Sequence, residues 1–145
     1  MRQTLQPGIM HQLRFRIPAA KTVPALYPEA VEFQAMPEVL ATGFLVGLIE
    51  WACVLALMPH LDWPREQTLG TRVDVSHDKA TPPGMVVTAS VRLTEVDGRR
   101  LRFDVDAHDG TVMHLDRHVL VEEPLPPYRP LTAGVAARLQ DEAEV

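Results

Sequence analysis

The chain has 145 residues, of which 46% are hydrophobic and 23% charged, with a formal net charge of -5 and a pI near 5.6. This length suits one domain with its own core and is too short for two. The acidic balance argues against electrostatic binding to nucleic acid or to an anionic membrane. Cys53 is the single cysteine, so no internal disulfide forms, and we expect a reduced, packed thiol in a cytoplasmic protein.

The N-terminal part combines a strand pattern with a proline-rich segment. Residues 1–21 contain no continuous apolar run, so no secretory signal is expected. Residues 10–17 alternate apolar and polar side chains with the period of a half-buried strand, which Pro18 ends. Residues 18–36 carry repeated prolines among scattered apolar side chains. We predict that they form an irregular lid segment, because long loops with apolar residues of their own often cover sites.

One long apolar helix is predicted in the middle of the chain. Pro37 and Glu38 suit a first helical turn, and the apolar run continues to about Met58, where Pro59 stops it. The second half is apolar on every side, so we expect other elements to enclose it. The stretch 43–58 carries a central charge and is shorter than the ~20 residues needed to cross a bilayer, so no membrane span is predicted.

Four strands are predicted after the helix, at 70–77, 84–96, 99–109 and 111–123. Asp-Gly pairs at 97–98 and 109–110 predict that the last three form an antiparallel meander. This order predicts an α+β hotdog fold, with a five-stranded antiparallel sheet wrapped around one long central helix. The hotdog domain would cover 1–123, and a Pro-rich tail with a short C-terminal helix would cover 124–145.

The central helix carries one carboxylate, Glu50, inside its apolar run. Burial of an unpaired charge costs several kcal/mol, so Glu50 must be paired, hydrogen-bonded, beside water or protonated. The alternative to a catalytic carboxylate is a structural one, at a helix end or at a dimer contact. Gly43 and Gly47 clear one helix face for a ligand or for tight packing, and Thr42 before them could also act as an N-cap.

His77 ends the second predicted strand, just before the breaker "ATPPG". A strand edge opens at such a position, so the imidazole can face a cleft, although a lone histidine there is usually an ordinary surface residue. The other histidines show no ligand spacing with acids or with Cys53, so no metal site is predicted.

Four motifs in one order resemble the fluoroacetyl-CoA thioesterase family of hotdog proteins. They are "KTVPALYPEAVEF", "MPEVLATGFLVGLIEWAC", "LGTRVDVSHDKATPPG" and "VDGRRLRFDVDAHDG", and the likeness covers roughly residues 20–121. The resemblance implies an acyl-CoA thioesterase acting on a short acyl group, with fluorinated or otherwise activated groups among its candidates. It also implies coenzyme A as part of the substrate, no separate cofactor, and a homodimer.

The resemblance assigns residues to roles. The catalytic group is carried over to Thr42, Glu50 and His77. The implied substrate-binding residues are Phe33, Met36, Gly43, Gly70 and Arg117. Met36 stands where the fluoroacetyl-specific members have a phenylalanine, which leaves the reaction type standing and puts the acyl group in question.

Two sets of alternatives stay open at this point. On an unbroken helix Thr42 and Glu50 lie about 12 Å apart along the axis and ~80° apart around it. Either the helix breaks near Gly43, or the substrate spans both groups, or residues of two subunits meet. The alternatives to a thioesterase are a non-catalytic acyl-CoA-binding module and a hotdog acyl-CoA hydratase.

Overall fold

The alternation of side chains along two long strands builds one buried sheet face. A computed structural model of the chain describes residues 2–110 and 117–122. The strands are β1 (Met10–Arg16), β2 (Leu69–Val73), β3 (Val86–Asp97), β4 (Arg100–His108) and β5 (Arg117–Glu122), and the helices are α1 (Val31–Gln34) and α2 (Thr42–Leu57). Every second residue is buried from Val87 to Leu93 in β3 and from Leu101 to Ala107 in β4, on the sheet face that α2 covers.

The five strands form one antiparallel sheet in the order β1-β3-β4-β5-β2. The predicted meander of the last three strands is confirmed, and Gly98 makes the tight β3–β4 turn with a φ of 57°. β1 and β2 are the edge strands of this sheet. The α+β hotdog class, with one long helix against five antiparallel strands, is confirmed.

The predicted start of the long helix is wrong by several residues. α2 begins at Thr42 rather than at Pro37, because the preceding residues are held extended by other parts of the chain. The amide of Leu40 donates to Thr81 O, and the amide of Ala41 donates to Lys21 O. These bonds use the backbone groups that a helical turn would need. The predicted end is confirmed, since Pro59 lies in a short 3₁₀ turn directly after Leu57.

The described residues of the single chain enclose α2 only in part. One face packs on the sheet through residues such as Leu45, Ile49 and Ala52. Outside this face Trp51 is 48% exposed, although its ring also meets Phe15 of β1, and Met58 is 39% exposed. The segment Thr42–His60 is long and apolar enough to cross a membrane, a property that it shares with core helices packed like this one.

The strand before His77 is shorter than predicted. Its pairing with β5 ends at Val73, so His77 lies beyond the strand, in a loop that turns toward α2. Two other predicted segments, 111–116 and the tail 124–145, lie outside the described residues. The domain boundary at 123 therefore stays a prediction.

Candidate active site

The first residue of α2 meets the loop that follows β2. Thr42 Oγ1 and His77 Nδ1 are 2.9 Å apart, a hydrogen-bond distance between residues that are 35 positions apart in sequence. The N-cap of α2 is Ala41, which contributes no side-chain cap, so the alternative that Thr42 caps the helix is wrong. The hydroxyl of Thr42 is therefore directed to the imidazole.

The imidazole of His77 sits in a partly desolvated position. Burial lowers the pKa of His77 below its ordinary value near 6.5, while the Lys79 backbone and the charge of Asp78 act in the opposite direction. The ring is therefore neutral at pH 7, and it has one N–H. Nδ1 either accepts from the Thr42 hydroxyl or donates to it, according to the tautomer, and Nε2 is buried without a hydrogen-bond partner among the described residues.

Two buried links that the sequence did not suggest hold this pair together. Thr81, fully buried in the "ATPPG" loop, accepts the amide hydrogen bond of Leu40 through its carbonyl oxygen. Its hydroxyl donates to Asp109 Oδ2 at 2.8 Å. The loop after His77 is thereby attached both to the residues before α2 and to the end of β4. No spacing in the sequence signals these contacts, because their partners are distant along the chain.

The second half of the site is the carboxylate on α2. Glu50 Oε1 accepts a hydrogen bond from the Gly70 amide at 2.7 Å. A Cβ at residue 70 would lie 2.5 Å from that oxygen, closer than real Cβ contacts occur, so with any residue other than glycine the carboxylate would have to move. The register of β2 against β5 shifts between Gly70 and Arg72, an irregularity of the type that re-aims backbone groups next to active sites. The charge of Glu50 is thus hydrogen-bonded, one of the options that its burial predicted.

Cys53, one helical turn beyond Glu50, is not a nucleophile in this site. Burial raises the pKa of the Cys53 thiol to about 12, and the nearby Glu50 charge adds to the effect. Because the thiolate is the reactive form, this cysteine is inert at neutral pH. It is the free, packed thiol that the sequence predicted.

The two halves of the site are brought onto one helix but not into mutual contact. α2 is unbroken from Thr42 to Leu57, so the alternative of a break near Gly43 is wrong. Because Cα–Cβ bonds tilt toward the helix N-terminus, the Glu50 side chain leans back toward Thr42. A substrate bridging both groups and a site assembled from two subunits are the two remaining arrangements.

The predicted substrate-binding residues fall in three places. In the lid segment, Phe33 stacks on Tyr27 at a centroid distance of 6.2 Å, and Met36 is 48% exposed. Gly43 lies under the lid, because a Cβ there would be 3.2 Å from Leu26 Cδ1. Gly70 holds the Glu50 carboxylate, as described above. For Arg117 only the backbone is described, at the start of β5 opposite Val105.

An apolar cavity lies beside this site. Its volume is about 390 Å³, and it opens between β1, the base of the lid segment and α2. Thr42, Glu50 and His77 do not line it, whereas Gly47 and Trp51 on the adjacent face of the helix do. Within the described residues no three His, Cys, Asp or Glu side chains converge to hold a metal ion.

The fold and the paired polar groups define a class of protein, the hotdog-fold thioester hydrolases. A family model described as "Fluoroacetyl-CoA-specific thioesterase" matches residues 25–113. The fluoroacetyl-CoA thioesterase of Streptantibioticus cattleyicolor is 51% identical over 110 residues, which cover 76% of this chain and 78% of that protein. The chain belongs to the fluoroacetyl-CoA-specific thioesterase family, which confirms the resemblance found in its sequence.

Solved structures of a relative agree with this placement. The fluoroacetyl-CoA thioesterase FlK is 39% identical, with a TM-score of 0.80 over 98% of this chain and 97% of that one. A threonine-to-serine variant of FlK in complex with acetyl-CoA is 40% identical, with a TM-score of 0.80 over 95% of this chain and 98% of that one.

Proposed function

We propose that the protein hydrolyses short-chain acyl-CoA thioesters, with fluoroacetyl-CoA among its substrates. The observation that carries this proposal is the pairing of Thr42 with a neutral His77 at one end of the helix that also carries Glu50. Thioester hydrolysis needs a base for water and a donor to the oxygen that becomes negative. Family membership and the acetyl-CoA complex of the FlK variant support the choice of substrate class.

The groups divide the chemistry in the following way. The Glu50 carboxylate takes a proton from water, and the resulting hydroxide attacks the thioester carbon. In the tautomer in which His77 Nδ1–H donates to Thr42 Oγ1, the exposed Thr42 hydroxyl keeps its own hydrogen and donates it to the developing oxyanion. When the intermediate collapses, the C–S bond breaks, and Glu50 returns its proton to the thiolate of coenzyme A. The products are the free acid and coenzyme A, and the enzyme returns to its starting state.

The test is thiol release from a panel of acyl-CoA esters by the wild type and by Glu50→Gln. Loss of a general base typically costs roughly 10²–10⁴-fold, so kcat/KM should fall by that range while the circular dichroism spectrum is unchanged. Glu38→Gln, at an exposed position before α2, is the matched control and should retain activity. If Glu50→Gln stayed within a fewfold of wild type, Glu50 would be a structural carboxylate.

The same panel separates the alternatives. A wild type that binds acetyl-CoA tightly without releasing thiol would be a binding module. One that adds water to an enoyl-CoA without releasing thiol would be a hydratase.

We further propose that the working form is a cytoplasmic homodimer without a separate cofactor. The edge of β2, where Leu69 is 50% exposed, is a surface that a second copy would cover. Gly70 and Glu50 lie at this edge, so a partner there would close the site. Light scattering should give a mass of about twice the 16.2 kDa of one chain. A mass of one chain at micromolar concentration would contradict the proposal.

A further inference from the structure

The apolar cavity beside the site is not explained by the hydrolysis of a two-carbon acyl group. An apolar cavity of 150 Å³ holds a six-carbon benzene ring in another protein, and small-molecule sites begin at about 300 Å³. At about 390 Å³ this cavity exceeds what the methyl or fluoromethyl group of an acetyl ester would fill.

The cavity adjoins the carboxylate through one glycine. Gly47 lines the cavity and lies one turn before Glu50, so the two residues are neighbours on the helix surface. Gly47 is exposed, and a Cβ added there would meet no atom within 4 Å, so among the described residues no side chain stands between the cavity and Glu50 on this helix face. A chain attached to a carbonyl at Glu50 can therefore cross the helix at this point.

The walls of the cavity select the chemistry of that chain. Phe15, Phe44 and Trp51 contribute aromatic surface, and the Phe15 and Trp51 rings meet edge to face at 6.0 Å. Lys21, a cation in the lining, has its ammonium group 4.4 Å from the centroid of the Phe44 ring, so this charge already makes a cation–π contact within the protein. These walls match an unbranched hydrocarbon better than a polar group.

We infer that this cavity is an acyl-chain pocket and that the substrates include linear acyl-CoA esters of about four to eight carbons. The inference rests on the proposed thioesterase activity, and it widens the substrate class beyond acetyl and fluoroacetyl groups. Each methylene buried against such walls contributes roughly fourfold to binding in the transition state. The wild-type kcat/KM should therefore rise from acetyl- through butyryl- to hexanoyl-CoA.

The closing experiment blocks the passage. Gly47→Leu places a side chain in it and also raises the helix propensity of that position, so the variant should fold. The ratio of kcat/KM for hexanoyl-CoA to that for acetyl-CoA should fall at least tenfold. Val54→Leu is the matched control, because residue 54 lies one turn on the other side of Glu50 and does not line the cavity. Its ratio should stay at the wild-type value.

Two results would overturn the inference. One is a wild type that cleaves acetyl-CoA but neither butyryl- nor hexanoyl-CoA, and the other is an unchanged ratio in Gly47→Leu. Calorimetric Kd values of acetyl- and hexanoyl-CoA for the wild type, Gly47→Leu and Val54→Leu test whether the pocket binds the acyl chain, independently of turnover. If no ester were cleaved but hexanoyl-CoA still bound more tightly than acetyl-CoA and lost this advantage in Gly47→Leu, the pocket would stand and the proposed hydrolysis would fail.

Discussion

A single backbone N–H positions the carboxylate on which the proposed chemistry depends. Gly70 approaches Glu50 so closely that any side chain at residue 70 would displace the carboxylate or the strand. We therefore expect Gly70 to act through Glu50, whereas the family resemblance placed it on the substrate path.

Gly70→Ala should therefore lower kcat/KM by roughly 10–100-fold, since a misplacement of about 1 Å can cost ~10²-fold. The measurement is a double-mutant cycle with Glu50→Gln. If Gly70 works through the carboxylate, the double variant should be no slower than Glu50→Gln alone. Multiplicative losses would show that Gly70 has a separate role.

His77 should titrate below pH 6.5 in the folded protein, because burial disfavours its charged form. The midpoint of its ring-proton NMR signal measures this. Asp78→Asn should move the midpoint to lower pH still, since the Asp78 charge raises the pKa of His77. A wild-type midpoint at or above 6.5 would contradict the neutral ring.

The same shift has a consequence for stability with a definite sign. Below pH 6.5 His77 is protonated in the unfolded chain but still neutral in the folded protein, because its pKa is lowered by folding. Its contribution to the free energy of unfolding is therefore complete above pH 6.5. This contribution declines as the pH falls toward the pKa of the folded protein.

The sequence revealed the chemistry of individual residues better than their partners. A carboxylate in an apolar run required a compensating contact, and this was predictable for Glu50 from desolvation alone. The partner in that contact was not predictable, because it is a backbone amide, which nearly every residue has, and because Gly70 lies 20 positions away in the sequence. The bond between Thr42 and His77 likewise depends on a loop course that no local pattern encodes.

At the scale of elements, periodicity located the strands and the end of the long helix, but tertiary bonds decided where the helix begins. Pro37 suits a first turn locally, yet Leu40 and Ala41 give their amides to Thr81 and Lys21. Likewise, β2 follows the predicted pattern only to Val73, where its pairing with β5 ends. Such boundaries are set by partners distant in sequence.

The lid segment carries the prediction on acyl selectivity. Met36 follows α1 in an exposed position, and methionine is flexible and fills irregular space without holding one shape. We expect weaker preference for fluoroacetyl- over acetyl-CoA than in family members with phenylalanine there. Met36→Phe should raise the ratio of the two kcat/KM values by roughly five- to tenfold, within the ~1–3 kcal/mol available to such pockets. An already high wild-type ratio that Met36→Phe leaves unaltered would place discrimination at Thr42, Glu50 and His77.

For the whole molecule, the hotdog class followed from one apolar helix and five strand patterns. The composition could not show that α2 stays partly exposed among the described residues, because a helix that is apolar all round has the same pattern whether a sheet or a second copy covers it. The sequence predicts how much apolar surface of the helix must be buried. It does not predict whether the same chain or a second copy covers that surface.

The backbone bonds around the start of α2 also govern how the molecule opens. The amides of Val23, Leu40 and Ala41 donate to the carbonyls of Val39, Thr81 and Lys21. These three backbone hydrogen bonds join the lid segment, the start of α2 and the loop after His77. Segments that are joined by such hydrogen bonds unfold locally as one cooperative unit. Native-state amide hydrogen exchange should therefore give Val23, Leu40 and Ala41 a common opening free energy. Thr81→Val, which removes the hydroxyl that donates to Asp109, should lower all three opening free energies by a similar amount. The lid segment and the loop after His77 would then open as one unit.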